Sequence, residues 1–324
     1  MTRYTPEPTD GHTAFSANAW TSHDAPLILP SVISVVVPAH NEAAVLGRLL
    51  SGLVADTLSE PSAEAATLDI LVVANGCTDE TAEVAANHPN VRVIETPVPN
   101  KHRALRLGDE HAAGFPRLYV DADVELTAGD VLSLASAISK PGVHAAAPTR
   151  ITPLDGCPWT IRWYYQVWER LPVVQQGLFG RGVIALSQEG HARIAALPEL
   201  MGDDLAASLS FTPEERCVVE HARVVVYPPR KLGDLLRRRV RSMTVTTQAA
   251  TQTRLPSSRT SKEDLKTLLR EAPLRNGPRL AWFLVVTAIA RSRARRAVKA
   301  GDFTTWLRDE SSRAAAAATA AERK

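Results

Sequence analysis

The stretch ISVVVPAHNE, residues 33–42, is where a reading of this chain begins. Ile33–Val37 runs without a charge and stops at Pro38, the pattern of a strand buried on both faces. Asn41 is placed to cap a following helix. In that helix Val45, Leu46, Leu49, Leu50 and Leu53 recur at helical spacing. A further strand and helix then follow. A second apolar run, Leu68–Ala74, leads into the turn NGCTD, where Thr78 or Asp79 can cap a helix reaching about Asn87. Val91–Ile94 reads as a third strand, and a helix carrying Ala104, Leu105 and Leu107 follows it. Arg117–Val120 is a fourth strand, ending at Asp121. Strands alternating with helices predict an α/β fold with a mostly parallel central sheet flanked by helices.

Beyond Asp123 the alternation loosens. Val131–Ser139 reads as a helix, and Val143–Ala147, Gly182–Leu186 and Val218–Val226 as strands. From Lys231 onward the pattern is mainly helical, including a helix at about 276–299. The organisation expected is a flexible leader (1–30), a catalytic domain (31–229), a basic helical C-terminal region (230–311) and an Ala-rich tail (312–324).

The 324 residues carry a formal net charge of only +2, but its distribution is uneven. Residues 230–300 hold 18 Lys/Arg against 4 Asp/Glu, whereas residues 1–229 hold 15 against 27. A basic segment of that kind faces nucleic acid, an anionic membrane or phosphate groups. No nucleic-acid-binding motif accompanies it, so nucleic acid is not an expected partner. The three cysteines, Cys77, Cys157 and Cys217, form no CxxC pair, which excludes a zinc ribbon and a disulfide framework and fits a reducing cytoplasm. The polar N-terminus does not read as a signal peptide. The longest apolar run, Leu280–Ala290, is too short to span a bilayer, which needs about 20 residues.

The chemistry points to YVDADVEL, residues 119–126. Ligands of open α/β sheets sit beyond the carboxyl ends of the strands. Asp121 and Asp123 stand at such an end, and two carboxylates one residue apart can hold a hard divalent cation that bridges phosphates. A polar loop after a strand is the plainer reading of the triplet alone.

The order and spacing of PAHNE (38–42), VVANGCTDET (72–81), NKHRALRLG (100–108) and YVDADVEL together resemble glycosyltransferase family 2 on the GT-A fold, from about Val32 to Arg241. The resemblance implies a nucleotide-sugar site with Mn²⁺ or Mg²⁺ as cofactor. Pro38, Ala39 and Glu42 would line base and ribose, and Asn75 and Asp79 would belong to the second nucleotide loop. Lys101 would lie near the phosphates. Asp123 would be the principal metal ligand, with Asp121 on ribose or metal. MGDDLAASLSF (201–211) resembles the family's acidic motif, which makes Asp204 the implied catalytic base and Asp203 its acidic neighbour; a helix-capping pair is the alternative. The chain departs from the family at Ala74-Asn75, where two acids are common, and in lacking a QxxRW pattern. Within KLGDLLRRRVRS (231–242), Arg238 and Arg241 are the arginines expected on the diphosphate.

GLFGRGVIALS (177–187) has glycines at 177, 180 and 182, suited to a tight turn or close backbone approach to a ligand. Trp159, Trp163, Tyr164, Tyr165 and Trp168 form an aromatic cluster, read as helix packing, sugar stacking or membrane contact. RLAWFLVVTAIARSRARRAVK (279–299) suits either a core-packed helix with a basic end or a helix at an anionic membrane surface. The resemblance implies metal-dependent transfer of a sugar from a nucleotide-sugar donor to an acceptor hydroxyl, with inversion. The resemblance leaves the acceptor hydroxyl unidentified, with lipid-linked or membrane-proximal acceptors the implied classes, and the expected location is cytoplasmic or peripheral at the inner face of the cell membrane. A retaining transferase, a sugar nucleotidyltransferase and a membrane-associated scaffold without activity are the alternatives.

Overall fold

The computed structural model describes residues 31–55, 66–196, 208, 210–252, 262–300 and 311. The leader 1–30, the tail 312–324 and the acidic pair Asp203 and Asp204 lie outside the described residues.

Eight described strands form one sheet: β1 (Val32–Ala39), β2 (Thr67–Asn75), β3 (Val91–Thr96), β4 (Arg117–Val120), β5 (Val124–Glu125), β6 (Ala145–Ile151), β7 (Val183–Leu186) and β8 (Arg216–Val226). Their order is β3-β2-β1-β4-β7-β6-β8-β5. The β3-β2-β1-β4 half is parallel. β7 then runs antiparallel to both β4 and β6, and β8 returns parallel to β6. β1 lies at the centre of the parallel half with Ile33, Val35, Val36 and Val37 fully buried, as its uninterrupted apolar run requires. Ser34 is tolerated there because its hydroxyl donates to Asp69 and accepts from the amide of Gly114.

The first helices are α1 (Ala43–Val54), α2 (Thr81–Ala86), α3 (Lys101–His111) and α4 (Ala128–Ile138). Leu46, Leu49, Leu50 and Leu53 of α1 are fully buried against the sheet together with Val131 and Leu134 of α4. Burying each such leucine stabilises the fold by about 1.5–3 kcal/mol. Ala104 of α3 packs with Leu71 and Val73 of β2 in a separate cluster. Asn100 caps α3 by accepting from the amide of Arg103, and Thr127 and Asp130 close a capping box on α4.

The remaining described helices are α5 (Trp159–Trp168), α6 (Pro172–Gln176), α7 (Gln188–Ala195), α8 (Leu232–Gln252), α9 (Lys262–Glu271) and α10 (Pro273–Lys299). A second core joins Ile161, Tyr164, Tyr165 and Trp168 of α5 to Leu235 of α8, Leu268 of α9, and Phe283, Val286 and Ala290 of α10. The aromatic helix is therefore the seat on which the basic C-terminal helices pack. The short strand β5, two residues long, has no periodicity to reveal it and is defined only by pairing with β8. No described helix is long and apolar enough to cross a membrane.

Candidate active site

The carboxyl ends of β1, β2 and β4 open onto one edge of the sheet, and hydrogen bonds tie the first two together. The buried amide of Asn75 donates from Nδ2 to the carbonyl of Ala39 at 2.7 Å, and the Nδ1 of His40 meets the carbonyl of Asn75 at 2.7 Å. A carboxylate could not make the first bond, because it only accepts. The amide at this position thus joins the two loops rather than standing apart from the protein's own backbone. Pro38 and Ala39 sit in register with Val73 and Ala74, directly before those loops.

Asn41 corrects the expected cap. It has φ +52°, a left-handed conformation that Asn tolerates, and Glu42 occupies the N-cap of α1. The Asn41 side chain reaches across to accept from the amide of Thr78 at 2.7 Å. Capping comes instead from the other loop. Asp79 accepts through Oδ2 from the amide of Ala43, and through Oδ1 from both the amide and the hydroxyl of Thr81. One carboxylate serves the amino ends of α1 and α2, so Asp79 and the half of the site it belongs to are held rigidly. Glu42 is buried, and its amide donates to the Thr81 hydroxyl at 2.8 Å. Gly76 turns the second loop with φ +60°, where an added Cβ would lie 2.7 Å from Pro99.

At the end of β4, Lys101 Nζ pairs with Asp121 Oδ1 at 2.8 Å. The Asp121 side chain stays 42% exposed, and Asp123 is half-buried. The Asp121 amide donates to the carbonyl of Gly182 at 2.7 Å, which brings the glycine segment beside the carboxylates. Gly182 has φ +67°, and a Cβ there would stand 3.2 Å from Asp121 Oδ2 and 2.7 Å from Val124. The missing side chain leaves a cradle next to a carboxylate oxygen, and hard oxygen donors of this kind fit Mg²⁺ or Mn²⁺. No group of three or more His, Cys, Asp or Glu that could hold a metal occurs among the described residues. Asp121 and Asp123 would supply two carboxylate donors for such a cation.

The glycine segment is braced by two arginines that sequence reasoning passed over. Buried Arg181 donates to four carbonyls, those of Gly177, Pro148, Val174 and Gln175, at 2.8–3.1 Å. Burial, followed by the neighbouring charge of Arg150, lowers its pKa to about 10. Arg150 donates to the carbonyl of Gly180 at 2.6 Å and lies over the ring of Trp168. The available signal was a lone cation inside a run of small and apolar residues. Two of the glycines answer to local geometry: a Cβ on Gly177 would meet the Val173 carbonyl at 2.6 Å, and Gly180 has φ +70°.

The basic segment joins the site through β8. Tyr227, just past the β5–β8 pair, donates from its hydroxyl to Glu125, and its carbonyl accepts from Arg238 at 3.2 Å. Arg238 is thereby anchored beside the segment that follows Asp123. Arg237 instead pairs with Asp234 of its own helix, and Arg239 lies toward the rings of Tyr164 and Trp168. Arg241 is half-buried one turn further along α8. The structure thus brings Pro38, Ala39, Glu42, Asn75 and Asp79 into one pair of joined loops. It places Lys101 and Asp121 in contact, with Asp123 two residues on.

Comparison with known proteins bears on this arrangement. Residues 34–180 match the sequence family described as Glycosyl transferase family 2. Curated relatives named as uncharacterized glycosyltransferases, from Mycobacterium tuberculosis and Mycobacterium bovis, are 31% identical over 150 residues. That match covers 44% of this chain and 62% of the relatives' length, so the chain spans less than two thirds of them. A crystal structure of glucosyl-3-phosphoglycerate synthase from M. tuberculosis in complex with phosphoglyceric acid superposes with a TM-score of 0.50 at 19% identity, covering 70% of this chain and 81% of that one. A structure of the same synthase with Mn²⁺, uridine diphosphate and glucosyl-3-phosphoglycerate gives 0.49 at 20% identity, covering 70% and 81%. The likeness is one of fold, and the fold is the GT-A type.

Proposed function

On the premise that residues 34–180 carry a glycosyl transferase family 2 sequence, we propose that this protein moves a sugar from a nucleotide-sugar donor to an acceptor hydroxyl. The observation that carries the reading is the contact of Lys101 with Asp121, at a strand end where Gly182 clears space beside the carboxylate.

In this reading the donor lies across the ends of β1, β2 and β4. Pro38, Ala39 and Glu42 line the base and ribose, and Asn75 and Asp79 shape the opposite loop. Asp123, with Asp121, holds Mn²⁺ or Mg²⁺; when bound, the cation neutralises charge on the departing diphosphate. Lys101 and the Arg238 and Arg241 side chains add fixed positive charge for the same leaving group. Asp204, beside Asp203, accepts the proton of the acceptor hydroxyl as it attacks the sugar's anomeric carbon, displacing the nucleoside diphosphate in one inverting step. The acceptor is lipid-linked or membrane-proximal, a reading supported by the apolar side chains of Leu284, Val285 and Ile289 that α10 leaves exposed. The cytoplasm is the proposed compartment, supported by three free cysteines.

Calorimetric titration with UDP, GDP and dTDP tests the donor site. At least one diphosphate should bind more tightly with Mn²⁺ or Mg²⁺ than without, and Asp123→Asn should remove that gain. Absence of binding to all three under either metal would end the proposal. Asp204→Asn should retain binding while losing transfer; a variant that still transfers sugar removes Asp204 as the base.

A further inference from the structure

The inner face of α10, through Leu280, Phe283, Val286, Ala290 and Ala294, belongs to the second core. Up to Ile289 its outer face carries exposed apolar side chains, where a soluble helix ordinarily presents polar ones. Leu284, Val285 and Ile289 are 45%, 48% and 39% exposed, and Leu274 at the helix start is 95% exposed. At 100° per residue, Leu274, Val285 and Ile289 fall within one stripe, with Leu284 at its margin. Leu269 of α9 is also exposed and lies against the same helix near Gly277. Trp159 of α5, 53% exposed, packs at 5.1 Å against Trp282 of α10 and extends the patch to a third helix. Trp282 is fixed there by donating from Nε1 to the Thr160 carbonyl at 2.8 Å.

Charge continues the stripe. Residues 273–299 contain seven Arg/Lys and no Asp/Glu. Arg291, Arg293, Arg295, Arg296 and Lys299 are all exposed on the last turns, and none forms an ion pair among the described residues. A helix of this length is about 40 Å long. It therefore presents an apolar, Trp-edged half and a cationic half along a single face. Apolar side chains and an indole at the level of lipid headgroups, flanked by cations, are what an anionic bilayer surface takes up. Nucleic acid would match the cations and leave the leucines, valine and isoleucine unused.

We propose that the outer face of α10, with Trp159 beside it, docks the protein onto an anionic membrane surface as a peripheral, non-spanning contact. Lipid binding at this face neither needs nor reports sugar transfer. Each basic residue held at an anionic surface strengthens binding about fivefold, and the apolar side chains add to it.

The test is co-sedimentation of the full chain with phosphatidylcholine vesicles and with vesicles containing phosphatidylglycerol. Binding should require phosphatidylglycerol and weaken in high salt. The pair Arg295→Glu/Arg296→Glu should weaken it roughly thirtyfold or more. The pair Val285→Ser/Ile289→Ser should weaken it while leaving the melting temperature near that of the parent, because both side chains lie outside the core. Equal binding to both vesicle types, no binding to either, or binding untouched by both pairs overturns the proposal. So does self-association in ultracentrifugation, or capture of duplex DNA, that depends on these residues while vesicles do not bind.

Discussion

Gly182 adopts φ +67° between two features of the site, the Asp121 carboxylate and the Val124 side chain. An alanine there meets two penalties. An L-residue is strained in the left-handed region by roughly 1–2 kcal/mol, and its methyl would press on Val124 and on the carboxylate expected to hold the cation. Gly182→Ala should lower the melting temperature and weaken metal-assisted nucleotide binding by about tenfold or more, as measured by calorimetry. A variant that melts earlier yet binds nucleotide normally would dissociate this glycine from the site. Asn75 shows how far a single residue can be read from sequence. Its type departs from the acidic pair that the resemblance to glycosyltransferase family 2 implies, but only the fold reveals that its amide donates to Ala39, 36 residues away.

At the scale of elements, two helical glycines with the same intrinsic cost have opposite surroundings. At Gly47 of α1 an added methyl would stand no closer than 3.9 Å to its nearest neighbour, whereas at Gly108 of α3 it would stand 2.3 Å from Val36 of the central strand. Gly47→Ala should stabilise the fold by roughly 0.5–1 kcal/mol, the helix-propensity difference. Gly108→Ala should destabilise it, because overpacking costs about 1–3 kcal/mol and exceeds that gain. Denaturant melts of the two variants check both signs; two shifts in the same direction would contradict the close approach of α3 to β1. The helices and long strands are legible because their apolar residues repeat at fixed local spacing. β5 is not, since two residues carry no period, and the cap expected at Asn41 is displaced because a left-handed turn intervenes between strand and helix.

Across the whole molecule, the amino-end side of the sheet is pinned by two carboxylates. Asp109 of α3 accepts from Arg117 and Tyr119 of β4 and faces His191 of α7, while Asp69 of β2 accepts from Ser34, Arg92 and the amide of Ala113. Burial works to raise the pKa of each, but the bonds they accept outweigh it and hold both below the ordinary value of 3.8. A depressed carboxylate contributes stability above its unfolded pKa and loses it as pH falls through the folded value. Thermal melts should therefore decline below about pH 4. Asp109→Asn should be less stable at neutral pH by roughly 1–3 kcal/mol and converge on the parent in acid. Parallel curves for variant and parent would mean that Asp109 is not a source of the acid sensitivity.

What the sequence determined by itself was the alternation of strand and helix, the placing of Asp121 and Asp123 beyond a strand, and the concentration of positive charge after residue 230. These follow from local periodicity and composition, which any stretch of chain expresses without its neighbours. Tertiary structure decided the rest. It set Lys101 on Asp121, made Arg181 a brace for the glycine segment, and seated the basic helices on the aromatic α5. It also turned the leucine, valine and isoleucine side chains of α10 outward beside its cations. Those outcomes depend on which distant groups meet when the sheet closes, and hydrogen-bond partners or exposed faces have no local signature.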